Sequence, residues 1–395
     1  MKKLSRIYLD YAASTPVDPA VLKAMTPYFT ERFGNPGSLH SFGQEAMGAV
    51  DKARETVAKA LGADFRSVIF AGSATEANNL AFRGTMRRFW WNFFKENGRK
   101  KKPDPAPHVI TTAIEHESVL ETLLDIERRG AARVTILPVN RDGVVETEAV
   151  KKALEPATVL VSVMYVNNEI GSVQPIKEIS RIVKDYRKDK KYPLFHTDAS
   201  QTFNYFDCDV KKLGVDLMTL SGQKIYGPKG AGALCVRDPS LLSPLVVGGG
   251  QEFGLRSGTE NVPSIVGFAE AVKIAEKNRK ESFKKVSSLK NAFWRGLKKV
   301  YPQAEVNGGS GAPHILNIHF PTEFAGDLLV KLDMAGIAAS GGSACSARSY
   351  APSPVLQALG LSQERVRGSL RFSFGKNLDV SDIKEALKRM EKILV

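Results

Sequence analysis

Seven short apolar runs, with helical patterns between several of them, constrain this chain more than any other feature. The runs are 68–70, 109–112, 134–139, 159–166, 194–197, 217–220 and 232–236. Helical periodicity fits 44–61, 117–129, 146–154 and 176–189. In the first of these Ala46, Val50, Ala53, Val57, Ala60 and Leu61 recur on one face, and Gly62 ends the pattern. Alternation of this kind gives an α/β fold whose mostly parallel sheet is covered on both faces. Ligands of such sheets bind beyond the carboxyl ends of the strands.

From about Pro263 the texture changes. A long amphipathic helix is expected over 265–299, then a strand over 315–320, a helix over 324–334, a strand over 369–374 and a last helix from Val380. This reads as a second, α+β domain. A chain of 395 residues is long enough for two or three domains.

Composition narrows the function classes. The chain is 43% hydrophobic and 25% charged, as soluble globular proteins are. No run of 18 apolar residues occurs, so no membrane span is expected. The basic start Met1-Lys-Lys-Leu lacks the apolar core of a secretory signal. Three cysteines, Cys208, Cys235 and Cys345, give no disulfide framework and fit a reducing cytoplasm. No Cys/His cluster has zinc spacing. The net charge of +14 could attract nucleic acid or an acidic partner, or simply keep the surface solvated. The segment 86–102 mixes aromatic and basic residues. It reads either as a binding surface or as a helix that packs Phe89, Trp90 and Phe93 inward before a basic loop.

Three polar groups fall at the ends of apolar runs. Lys224 follows 217–220 and precedes a sharp turn at Gly227-Pro228. A partly desolvated amine there is a nucleophile suited to a Schiff base, although most lysines are solvated charges. Asp198 closes 194–197, where it could hold a proton on a pyridoxal phosphate (PLP) ring nitrogen or cap the next helix. Ser67 to Leu80 runs from a strand through small residues, with Ala74 and Thr75, into a helix whose start favours a phosphate.

The pieces Tyr8-Leu-Asp-Tyr-Ala-Ala, Phe33-Gly-Asn-Pro, Ala74-Thr-Glu, Glu115-His116, Val166-Asn-Asn-Glu-Ile-Gly171, Asp198, Lys224 and Arg256-Ser-Gly-Thr259 together resemble cysteine desulfurases of the NifS/IscS type. These belong to the class V aminotransferase group of fold-type I PLP enzymes. The resemblance runs from about Tyr8 to the C-terminus. It implies a large PLP-binding domain at 17–262 and a small domain made of 1–16 and 263–395. It also implies a homodimer acting on L-cysteine.

The resemblance carries roles residue by residue. Lys224 matches the Schiff-base lysine, and Asp198 the ring-nitrogen acid. His116 matches a histidine that stacks on the ring and moves protons; read alone, it could equally be a surface residue. Asn168 matches a residue near the phenolic oxygen and the substrate, and Gln201 the side chain bonded to that oxygen. Ala74, Thr75 and Ser221 match the phosphate site. Thr259 matches a phosphate contact from the other subunit. Arg371 matches the arginine that forks onto the substrate carboxylate, a task lysine performs poorly.

Cys345 lies in a run of small residues with two glycines and two prolines, from Ala338 to Pro354. Such a run reads as a mobile loop with an exposed, reactive thiol rather than a packed one, and Arg348 nearby favours the thiolate. The resemblance makes Cys345 the persulfide-forming residue. It implies no resident metal; the single metal role is a bridge from Cys345 to a nascent iron–sulfur cluster on a partner. Cys208 and Cys235 read as structural.

Two departures stand out. Gln223 occupies the place before the lysine where the family has a phosphate-contacting histidine, and it cannot carry charge. The chain stops at Val395, without the longer tail many such enzymes use to dock a scaffold. The expectation is therefore a cytoplasmic cysteine desulfurase. It would pass sulfur to an acceptor such as an iron–sulfur scaffold or sulfur carrier, with no membrane and no direct nucleic-acid role. The rivals are a selenocysteine lyase or other class V enzyme and, outside enzymes, a basic partner- or nucleic-acid-binding protein on a retired PLP fold.

Overall fold

In the computed structural model, which describes residues 6–98, 103–309, 311–342 and 352–394, the apolar runs pair into one seven-stranded sheet. In chain order the strands of the molecule are β1 Ile7–Tyr8, β2 Val68–Ala71, β3 His108–Thr112, β4 Arg133–Leu137, β5 Thr158–Ser162, β6 Leu194–Asp198, β7 Leu217–Ser221, β8 Gly232–Val236, β9 Glu305–Val306, β10 Ile315–His319, β11 Ile337–Ala338 and β12 Ser369–Ser373. The large sheet has the order β2-β8-β7-β6-β5-β3-β4. Only β8 runs against its neighbours; every other pairing is parallel.

All residues of β2, β3, β5, β6, β7 and β8 are buried, as strands covered on both faces must be. Side chains alternate between the faces. Phe70, Ile110, Val161, Phe195 and Met218 pack with the helices Ser41–Ala60 and Ile176–Arg187 and with the start of Val262–Val300. Ile69, Val109, Leu160, Leu194 and Leu217 face the helices Ala74–Asn97 and Glu117–Arg128.

A separate core gathers Leu9, Phe293, Ile318, Phe320, Phe372 and Met390. It lies on the antiparallel sheet β12-β10-β9, and β1 joins β11 beside it in parallel register. The helix Val262–Val300 serves both cores. Its residues from Val262 to Ala275 pack on the large sheet, and those from Val286 to Leu297 pack on the small one. Residues 324–334 are helical from Ala325, and the final helix is Val380–Leu394.

The aromatic stretch continues the helix Ala74–Asn97. Phe89 and Trp90 pack partly inward, Trp90 Nε1 donates to the Ala131 carbonyl at 2.9 Å, and Trp91 faces out. The basic residues 99–102 lie outside the described residues, as does the segment 343–351 with Cys345. No helix among the described residues is long and apolar enough to cross a membrane.

Candidate functional site

The site forms where β2, β5, β6 and β7 end. Beyond β2, β6 and β7 the regular strand gives way to a turn of small or polar residues, and beyond β5 the chain stays apolar to Val166 before Asn167 and Asn168. After β2, Ser73 adopts an extended conformation and caps the helix Ala74–Asn97: its Oγ accepts from Glu76 N at 3.1 Å. Glu76 Oε2 reaches back to Gly72 N at 2.7 Å. This is close to a capping box, and the Ser73-Ala-Thr-Glu76 spacing could have revealed it in the sequence. Gly232 on β8 permits the close approach of this turn. A Cβ there would stand 2.8 Å from the Ser73 carbonyl carbon and 3.0 Å from Ala74 N.

Lys224 ends a short 3-10 turn that follows β7. The N-terminal segment pins that turn: Thr15 N and Oγ1 both donate to the Gln223 carbonyl, and Tyr226 N donates to Thr15 Oγ1 at 2.8 Å. Lys224 Nζ donates to the carbonyls of Ala12 and Ala13 at 2.6 and 2.7 Å. Asp198, at the tip of β6, is buried, and no ion pair to a cation forms on it among the described residues. Its Oδ2 accepts from Asn78 Nδ2 at 2.8 Å, and its Oδ1 accepts from Ser200 N at 2.9 Å. The second contact caps a local turn; the helix cap of the alternative sequence reading is not formed, since the next helix is Val210–Leu213 with Asp209 as its cap.

His116 is not a surface residue. It caps the helix Glu117–Arg128, its Nδ1 accepting from Ser118 N at 3.0 Å, and burial pushes its pKa down. The preceding Glu115 is buried without a cation, and burial pushes its carboxyl up to about 8. Gln201 donates to the Ala12 carbonyl at 2.9 Å, and His314 Nε2 stands 3.2 Å from its Oε1. His314 stacks on Tyr205 at 4.4 Å, and burial depresses it to about 3, so it is neutral and donates.

Arg371 reaches the site from β12 of the second core, and only 1% of it is exposed. Its Nη2 pairs with Asp10 Oδ1 at 2.7 Å, its Nη1 donates to the Asn168 carbonyl at 2.9 Å, and its Nε has no partner. Thus the segment after β1 (Ala12 and Ala13), β12 and the large sheet all contribute to one hollow.

That hollow is a cavity of about 170 Å³. Ala74, Thr75, His116, Asn168, Asp198, Gln201, Ser221, Gln223, Lys224 and Arg371 all line it. Sequence reasoning missed Ser73, Ser118, Met164, Val166 and Ser200 on its wall, and Asp10 and Asn78 behind it. Thr259 lies elsewhere, in a second hollow of about 290 Å³ with Gly72, Gly232 and Arg256. Arg256 Nε ties that hollow to the capped turn through Glu76 Oε1 at 2.8 Å. Cys208 and Cys235 are buried, which pushes both thiols up to about 12.

Chemically, the cavity offers a helix start for an anion, a carboxylate for a protonated ring nitrogen, an amine nucleophile and an arginine for a carboxylate. The buried orphans Ser200 Oγ and Arg371 Nε are what a polar occupant would satisfy. Pyridoxal phosphate has the matching groups.

The aminotransferase class-V family matches residues 7–386. A putative cysteine desulfurase IscS 1 of Bacillus subtilis (strain 168) is 44% identical over 394 residues, covering 99% of this chain and 99% of that one. A solved NifS-like protein superposes with a TM-score of 0.88 at 36% identity, over 98% of this chain and 99% of its own. SspA, solved in complex with cysteine, gives a TM-score of 0.78 at 37% identity, over 93% and 98%.

Proposed function

Because the chain belongs to the class-V aminotransferase family, we propose that it is a pyridoxal-phosphate enzyme that takes sulfur from L-cysteine, leaving L-alanine and a persulfide on Cys345. The observation that carries this reading is the single cavity lined by Lys224, Asp198, His116 and Arg371. The similarity to proteins named cysteine desulfurase supports the choice of substrate.

Ala74, Thr75, Ser221 and Gln223 would hold the phosphate, Asp198 the ring nitrogen and Gln201 the phenolic oxygen. When bound, pyridoxal phosphate supplies an aldehyde that captures amines and a protonated ring that accepts electrons. The protein's own residues do the rest. Arg371, aided by Asn168, fixes the carboxylate of cysteine and so aims its α-carbon and sulfur. The Lys224 amine takes the α-proton. The Cys345 thiolate attacks the substrate sulfur; an S–S bond forms, the C–S bond breaks, and the carbon fragment takes up a proton to become alanine. The persulfide then passes to an acceptor protein, a scaffold or sulfur carrier. Thr259, in its separate hollow, would serve the cavity of a second copy, which makes the working unit a homodimer. The proposed compartment is the cytoplasm, in keeping with the unpaired Cys208 and Cys235.

The test separates the nucleophile from the cofactor site. The wild-type protein should show the visible band of bound cofactor and release alanine from cysteine. Brief exposure to cysteine should add one sulfur to the peptide bearing Cys345, removable by reductant. Lys224→Ala should lose the band and the activity. Cys345→Ser should keep the band and lose persulfide formation. Normal sulfide production by either variant, or the added sulfur on Cys208 or Cys235, would overturn the reading.

A further inference from the structure

One chain of hydrogen bonds crosses the floor of the cavity, and counting its protons fixes the state of His116. Ser118 N donates to His116 Nδ1 at 3.0 Å, so Nδ1 presents a lone pair. Ser118 Oγ stands 2.9 Å from the same Nδ1. Two lone pairs would repel at that distance, so the hydroxyl proton must point to Nδ1. The hydroxyl oxygen is then an acceptor, and Asn78 Nδ2 supplies its donor at 2.9 Å. The second amide proton of Asn78 goes to Asp198 Oδ2 at 2.8 Å. Turning the Asn78 amide over would set its oxygen against a carboxylate oxygen, which only accepts.

A second observation supports the assignment. Asn78 is fully buried, and its Oδ1 has no partner. A buried orphan carbonyl costs stability. The orientation persists because both amide protons are committed.

We infer that Asn78 and Ser118 are positioning residues that hold His116 as the neutral tautomer protonated on Nε2, so that the ring presents a hydrogen-bond donor from a fixed atom. The inference rests on the functional reading above only for what the donor serves. Nδ1 cannot take a proton without breaking two contacts. The surroundings agree. Burial and Lys224 oppose a charged ring, Asp198 and Glu117 favour one, and the net shift is downward.

The test uses the holoenzyme with ¹⁵N-labelled histidine. The chain has six histidines, and His116→Gln identifies the signal of interest. In wild-type protein His116 should show the Nε2–H pattern and titrate below an unperturbed histidine. Ser118→Ala, which keeps the backbone donor to Nδ1 and loses the hydroxyl one, should raise its titration midpoint by about one pH unit. Asn78→Ala, which frees the hydroxyl to turn away, should move it in the same direction, and Ser118→Thr should restore it. Thermal melting of each variant checks folding. A wild-type ring protonated on Nδ1, or a midpoint unmoved in Ser118→Ala, would overturn the inference. Absence of any alanine from cysteine would instead sink the functional reading and leave the tautomer measurement intact.

Discussion

Strand β6 lies between two buried carboxylates that the fold treats in opposite ways. Where β6 and β7 begin, Asp216 accepts from Arg187 Nη1, Arg237 Nε and Phe195 N, so two arginines neutralise it. Where β6 ends, Asp198 receives, among the described residues, only the neutral Asn78 amide and the Ser200 N–H. The two are nearly equally hidden, at 4% and 6% exposure, so burial does not distinguish them. Charge compensation does. The amino-end edge is electrically closed, whereas the carboxyl-end edge leaves a charge for a cationic ligand to complete. Glu115, beyond the end of β3, is a third case: no cation meets it and burial favours a bound proton instead.

The sharpest test of the contrast is to remove each carboxylate. Asp198→Ala should lower turnover on the order of 10³-fold, because an electrostatic partner aimed at the reacting group is lost. Its stability should change by no more than about 1 kcal/mol, since the charge removed was uncompensated. Steady-state kinetics and thermal melting check both halves. Asp216→Ala should do the reverse. Removing one partner of a buried pair costs about 3–5 kcal/mol. Arg187 is almost fully enclosed, but Arg237 is half exposed and solvent screens it, so the lower end is expected. Turnover per folded molecule should be unchanged. A denaturation midpoint equal to wild type would break the comparison.

The carboxyl-end side of this contrast was legible in the sequence, whereas Asp216 and its arginines were not, and the part that was not has physical reasons. Asp198, Lys224 and Thr75 each follow an apolar run, and a sheet buried on both faces brings run-ends together. The end of β5 was placed too late. Residues 163–166 stay mostly apolar, but the regular strand ends at Ser162; Val163 N and Tyr165 N still donate to the His196 and Asp198 carbonyls of β6, while Met164, Val166 and Asn168 line the cavity. Apolar pattern reports burial, not where a regular strand ends. Asn78 was invisible because asparagine inside a helix reads as filler, and its role appears only once β6 stands beside that helix. Asp10 meets Arg371 across 361 residues of chain, a pairing no local pattern encodes. The texture change near Pro263 marks where a helix begins, whereas packing passes between cores later in that helix, between Ala275 and Val286.

The last test concerns Glu115, whose effect depends on pH, and asks whether a proton replaces a cation there. Its Oε1 accepts from Met164 N at 2.7 Å and Thr112 Oγ1 at 2.9 Å, while Oε2 is buried without a partner. Desolvation raises its folded pKa to about 8 from 4.5. Between those values the folded chain holds a proton that the unfolded chain has lost. Stability should therefore fall as pH rises through that window, by about 1.4 kcal/mol per pH unit. Glu115→Gln keeps the shape and the acceptor but cannot ionise, so the slope from this group should vanish. Above about pH 8 the variant should be the more stable protein. Urea unfolding at pH 6, 7 and 8 measures the slope directly. If wild type and Glu115→Gln show parallel pH dependence, Glu115 is ionised when folded. The site would then hold two uncompensated carboxylates side by side, and the distinction between its two edges would be wider than drawn here.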